Sequence, residues 1–160
     1  MQQFWGIRVI PPHKCAVSPE PTPFHIGAMP GTIMICGSMA HFAAMQALAA
    51  RLTARGISAV APADERGLTG GDPVAIKRAL SARYFRLIRR RTVAAILVAN
   101  LPRRGRKNYI GANTFAEIAV AVSAGKTIYL LHGFYPPLAD ELRAWGAIPL
   151  HGRLGRLRIP

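Results

Sequence analysis

Acidic side chains are the scarcest chemical resource of this chain. Seven occur in 160 residues, Glu20, Asp64, Glu65, Asp72, Glu117, Asp140 and Glu141, against 21 lysines and arginines. Other shortages exclude whole classes of protein. No apolar run approaches the roughly 18 residues of a membrane-spanning helix, and the amino terminus lacks the basic-then-apolar order of a secretory signal. No membrane partner and a cytoplasmic setting are therefore expected. Cysteine is nearly absent: Cys15 and Cys36 make neither a disulfide framework nor a metal motif. The five histidines form no pair at helical or finger spacing, so no metal site is expected. There is no Gly-x-Ser-x-Gly elbow, no Cys–His arrangement, no Walker A loop and no dinucleotide fingerprint. No cofactor is expected.

What remains is apolar and basic. Hydrophobic residues make up 51% of the chain, enough to cover a sizeable α/β core in one domain. The net charge of +14 comes almost wholly from guanidinium, since only Lys14, Lys77, Lys107 and Lys126 are lysines. It gathers in Arg83 to Arg91, in Arg103 to Lys107, and in Arg153, Arg156 and Arg158. Such charge attracts nucleotides, nucleic acid or other anions, but it does not by itself define a site.

Residues 1–31 stand apart, because Pro11, Pro12, Pro19, Pro21, Pro23 and Pro30 disfavour helix and central strand. They read as an irregular arm, and residues 32–160 as the folded α/β domain. From Thr32 onward strands and helices alternate. Ile33–Cys36 is a buried strand, and a helix follows over Met39 to Arg55, with Gly56 closing it. Strand Ile57–Ala61, a glycine-containing loop and a helix from Val74 to about Arg90 come next. Val93–Ala99 is the strongest strand of all. A helix over Asn113–Ala124, strand Thr127–Leu131, a helix from about Leu138 to Trp145 and a strand near Ala147–Leu150 complete the order. This pattern predicts a doubly wound, mainly parallel five-stranded sheet of the flavodoxin-like or Rossmann-like kind, with helices on both faces. Ligands in such sheets bind beyond the carboxyl ends of the strands, which brings Gly37-Ser38, Asn100 and the start of the Asn113–Ala124 helix to one rim.

Glu117 is the acid that needs explaining, because its neighbours are Phe115, Ala116, Ile118, Ala119 and Val120. Burial of a lone carboxylate costs several kcal/mol. One reading is a capping box, Thr114-Phe-Ala-Glu117, in which the acid satisfies an amide at the helix start. The other is chemistry. Gly37-Ser38 reads equally as a tight turn with Ser38 as N-cap or as an anion site at a helix start. Asn100 is either a turn residue or a ligand-binding amide. Gly111 reads as a turn glycine and Asn113 as an N-cap.

Taken together, Ile35-Cys-Gly-Ser38, Ile96-Leu-Val-Ala-Asn100 and Tyr109-Ile-Gly-Ala-Asn-Thr-Phe-Ala-Glu117 before Gly125-Lys126 resemble the nucleoside 2-deoxyribosyltransferase-like superfamily over about residues 32–151. That group includes 2'-deoxynucleoside 5'-monophosphate N-hydrolases. The resemblance implies that Glu117 attacks the anomeric carbon, that Gly37 and Ser38 help hold a phosphate, and that Asn100, Tyr109, Gly111 and Asn113 border the substrate. The chain departs from the family at Gly111 and Asn100, where many transferases carry aspartates. The implied function is an N-glycosidase or deoxyribosyltransferase acting on nucleosides or nucleoside 5'-monophosphates, the hydrolase ranking first because the rim is basic. The alternative is a nucleotide-sensing or nucleic-acid-binding module without turnover. Expected partners are the nucleoside or nucleotide and, as an open alternative, a second copy of the chain, with nucleic acid ranking lower.

Overall fold

The computed structural model describes residues 31–63 and 72–158. All but the last residue of the irregular arm expected over residues 1–31, and most of the glycine-containing loop, lie outside the described residues. Five strands form one all-parallel sheet: β1 (Thr32–Gly37), β2 (Ala59–Val60), β3 (Val93–Ala99), β4 (Thr127–Leu130) and β5 (Ile148–Pro149), in the order β2-β1-β3-β4-β5. Helices α1 (Phe42–Thr53), α2 (Pro73–Ile88), α3 (Ala112–Ser123) and α4 (Ala139–Ala144) make the crossovers. The doubly wound fold expected from the alternation is thus observed. No helix of the described residues is long and apolar enough to cross a membrane.

The two faces follow from side-chain alternation along the strands. Ile33, Ile35, Ala95 and Leu97 pack on one face against Met45, Leu48 and Leu52 of α1. Met34, Cys36, Ile96 and Val98 pack on the other against Ile88 of α2, Ile118 and Ala121 of α3, and Leu142 of α4. The α1 face would be half bare without the carboxyl-terminal segment. Leu154 and Leu157 cover it beside Leu150, and the Tyr129 hydroxyl bonds the backbone of Arg158.

Strand β1 runs in parallel register with β3 from Ile33 opposite Ala95 to Gly37 opposite Ala99. Between them the strand order reverses, so the connections that leave their carboxyl ends turn to opposite faces of the sheet and leave a crevice. Gly37 sits at that point, where a larger residue would have to displace the Met45 side chain. A Cβ there would stand 2.9 Å from the Met45 sulfur and 3.3 Å from Ala99.

Several boundaries differ from the sequence reading. The edge strands β2 and β5 are two residues each rather than four or five, because each pairs on one side only. A 3₁₀ turn, Met39–His41, precedes α1, and another, Pro136–Leu138, precedes α4. Helix α3 starts at Ala112, with Gly111 as its N-cap, so Asn113 and Thr114 lie inside the first turn. Asn113 is therefore not the N-cap.

Candidate functional site

A cleft of about 850 Å³ opens at the carboxyl ends of β1 and β3. Gly37, Ser38, Met39 and Ala40 form its floor where β1 turns into α1. Tyr109, Gly111, Asn113, Thr114 and Glu117 form one wall, and Ile76, Lys77, Leu80, Ser81 and Tyr84 of α2 form the opposite one. Arg103 reaches in from the segment after β3. The structure thus brings Gly37, Ser38, Tyr109, Gly111, Asn113 and Glu117 to one cavity. Asn100 is not among the lining residues.

Glu117 occupies the second turn of α3 and faces the cleft. The capping-box reading fails here, since a helix that starts at Ala112 leaves Glu117 too far inside to reach an open amide. Its Oε2 is buried without a hydrogen-bond partner among the described residues. His41 Nε2 and Thr92 Oγ1 share that condition, but neither residue lines the cleft. Burial pushes the Glu117 carboxyl up to about 7, offset in part by a hydrogen bond from the Cys36 thiol. Cys36 is fully buried, and burial together with the Glu117 charge holds its thiol well above the usual range. This thiol is a fixed donor to the carboxylate rather than a nucleophile.

Ser38 is engaged twice. Its Oγ accepts from the Ala40 amide at 3.3 Å, as an N-cap should, and from Arg103 Nη1 at 2.7 Å. A hydroxyl that accepts two hydrogen bonds keeps its own proton to donate, which suits an anionic ligand. The Arg103 guanidinium also stands 5.6 Å from the centre of the Tyr109 ring, within cation–π range.

Arg103 is held there by a tight hairpin within the basic cluster Arg103 to Lys107. Arg103 and Arg106 exchange backbone hydrogen bonds of 2.9 Å in both directions. Between them Arg104 (φ 50°) and Gly105 (φ 71°) are both left-handed, as a type I′ turn requires. Gly105 was the available signal, weakened because Arg104 stands where asparagine is usual. At the far side Arg106 donates to the Tyr135 hydroxyl at 3.2 Å, and Tyr135 meets Tyr109 edge-on at 5.6 Å.

Asn100 does structural work at this rim. It is fully buried; its amide donates to the Gly133 carbonyl at 2.7 Å, and its Oδ1 accepts from the His132 amide at 2.9 Å. Asn108 donates to the Phe134 carbonyl at 3.1 Å. The two asparagines brace the loop after β4, which carries Tyr135 to Tyr109. Each end of the Asn100 amide holds one backbone partner, so the residue fixes the path of this loop.

Among the described residues no group of three or more His, Cys, Asp and Glu could hold a metal ion. Comparison with protein-family models, curated proteins and solved structures finds no match for this chain. The fold and the cleft define an α/β protein with an open crevice at its switch point.

Proposed function

We propose that this cleft binds a nucleoside 5'-monophosphate or nucleoside and that Glu117 cleaves its N-glycosidic bond. One observation carries the reading: the single carboxylate among the described lining residues faces an open cavity, desolvated and with Oε2 unpartnered among the described residues. A raised pKa marks functional carboxyls more often than structural ones. The resemblance to the nucleoside 2-deoxyribosyltransferase-like superfamily supplies the chemistry. The ionised Glu117 attacks C1′ of the sugar and forms a glycosyl ester as the C1′–N bond breaks. The base leaves with the bonding electron pair and takes a proton from solvent. Water then hydrolyses the ester, releasing the sugar and restoring the carboxylate. Ser38 and Arg103 at the other side of the cleft receive the phosphate.

A second reading has an observation of its own. Where the family carries helper aspartates this chain has Gly111 and Asn100, so no second acid among the described lining residues assists the leaving base. A module that holds nucleotide without turning it over fits that poverty. Incubation with a panel of nucleosides and monophosphates, followed by chromatography for free base, separates the two. Release of base that Glu117→Gln abolishes establishes the enzyme; saturable binding with the nucleotide recovered intact establishes the module.

A further inference from the structure

The charges of this chain sort by sheet edge in a way that no stretch of sequence displays. In a parallel sheet the crossover helices run against the strands, so helix starts lie at the strands' carboxyl edge and helix ends at their amino edge. All four acids of the described residues belong to the first edge. Asp72 is the N-cap of α2, Glu117 lies early in α3, and Asp140 and Glu141 are in the first turn of α4. Among the described residues the opposite edge, away from the cleft, collects cations alone. Arg51 and Arg55 close α1 on one face of the sheet. Arg86, Arg89, Arg90 and Arg91 close α2 on the other.

The pieces adjoin in space. The Ile33 amide donates to the Ser58 carbonyl just after α1, and the Thr32 amide to the Thr92 carbonyl just after α2. Lys126, before β4, donates through Nζ to the Arg90 carbonyl at 2.9 Å. The six arginines are exposed, and none has an ion-pair partner among the described residues. Compensation of helix dipoles explains a cation in a last turn. It does not explain Arg89, Arg90 and Arg91 beyond the helix, nor why α3 ends with no basic residue in its last turn.

We infer that this edge is a nucleic-acid binding surface that grips the phosphates of a duplex without reading its bases. Arginine in preference to lysine favours forked contacts to phosphate oxygens. Packed layers stand about 10 Å apart, so arginines from helices on opposite faces are spread about 20 Å across the edge, wide enough for two phosphate rows. A lipid surface fits less well. The exposed large hydrophobic residues of the described chain are Met39, Val74 and Ile148, two of them at the cleft edge and one in edge strand β5.

The test is fluorescence anisotropy with a short labelled duplex of arbitrary sequence, its single strands, and phosphatidylserine vesicles in parallel. The full chain should bind the duplex more tightly than either strand and lose about 10³-fold in affinity between 50 and 200 mM salt. Replacement of Arg86, Arg89, Arg90 and Arg91 by Gln should weaken duplex binding at least tenfold. A control that removes four charges elsewhere, at Arg104, Lys107, Arg153 and Arg156, should change it less than threefold. Arg51→Gln with Arg55→Gln, on the other face, should weaken it as well and guards against a folding artefact in α2. Equal losses in the two four-charge variants would overturn the proposal, as would vesicle binding without duplex binding, or strands bound as tightly as the duplex.

Discussion

Arg103 donates to the Ser38 hydroxyl at 2.7 Å across the mouth of the cleft, joining the segment after β3 to the turn after β1. The two strands flank the point where the sheet reverses its order, so this one bond spans the crevice in which ligands of such folds sit. It also leaves the serine proton and most of the guanidinium donors free for an anion.

A phosphate on the ligand should therefore feel this pair more than a sugar does. Arg103→Ala and Ser38→Ala are each expected to weaken a nucleoside monophosphate by roughly tenfold to a hundredfold, from the ~1.5–3 kcal/mol of a charge-assisted hydrogen bond. The matching nucleoside should change by less than about threefold. Calorimetric titration of both ligands into each variant measures the difference. Equal losses would assign Ser38 to capping and to sugar contacts.

Much of this arrangement was legible in the sequence, and the parts that were not share a cause. The apolar runs of β1 and β3 and the Gly37-Ser38 turn are local signals, so the crevice could be placed from them. Glu117 stood out because its neighbours are apolar, a fact that needs no structure. The helix start was misread because Thr114-Phe-Ala-Glu117 fits a capping box, whereas extended Gly111 (φ −87°, ψ 168°) opens the helix without any side-chain cap. The bracing role of Asn100 was not legible because its partners, His132 and Gly133, lie more than thirty residues away. Long-range pairing is what a motif cannot show.

That bracing role of Asn100 has a measurable consequence. Asn100→Ala leaves a buried amide and a buried carbonyl unpaired, at about 1–3 kcal/mol each. Denaturant unfolding should show a loss of roughly 2–4 kcal/mol. The affinity of the remaining folded protein for nucleotide should fall only as far as Tyr135 and Tyr109 shift. Full stability with lost ligand binding would make Asn100 a direct contact.

The buried carboxyl of Glu117 makes stability depend on pH. Its folded pKa, about 7, lies above the ordinary 4.5, so folding favours the protonated form. The wild type is at its best below the unfolded pKa and loses stability as pH rises through about 7, by up to roughly 3 kcal/mol. Glu117→Gln mimics the neutral form and removes this dependence. The difference between variant and wild type, measured by urea unfolding, should be near zero at about pH 4 and favour the variant at about pH 8. A constant difference across that range would mean that the carboxyl is solvated in the folded chain.

If Glu117 is the nucleophile proposed above, the same group sets the pH profile of turnover. A nucleophile must be ionised, so kcat/KM should rise with pH and level off above about 7. Cys36 tunes the midpoint because its thiol donates to the carboxylate and lowers its pKa. Cys36→Ala removes that donor and should move the rise to higher pH; Cys36→Ser supplies a better one and should move it lower. Both changes keep Glu117 in place, and Glu117→Gln should cost about 10³-fold or more in turnover. Activity that instead falls as pH rises through 7, with the serine and alanine shifts unchanged in sign, would make Glu117 a proton donor to the leaving base. The attack on the sugar would then belong to water.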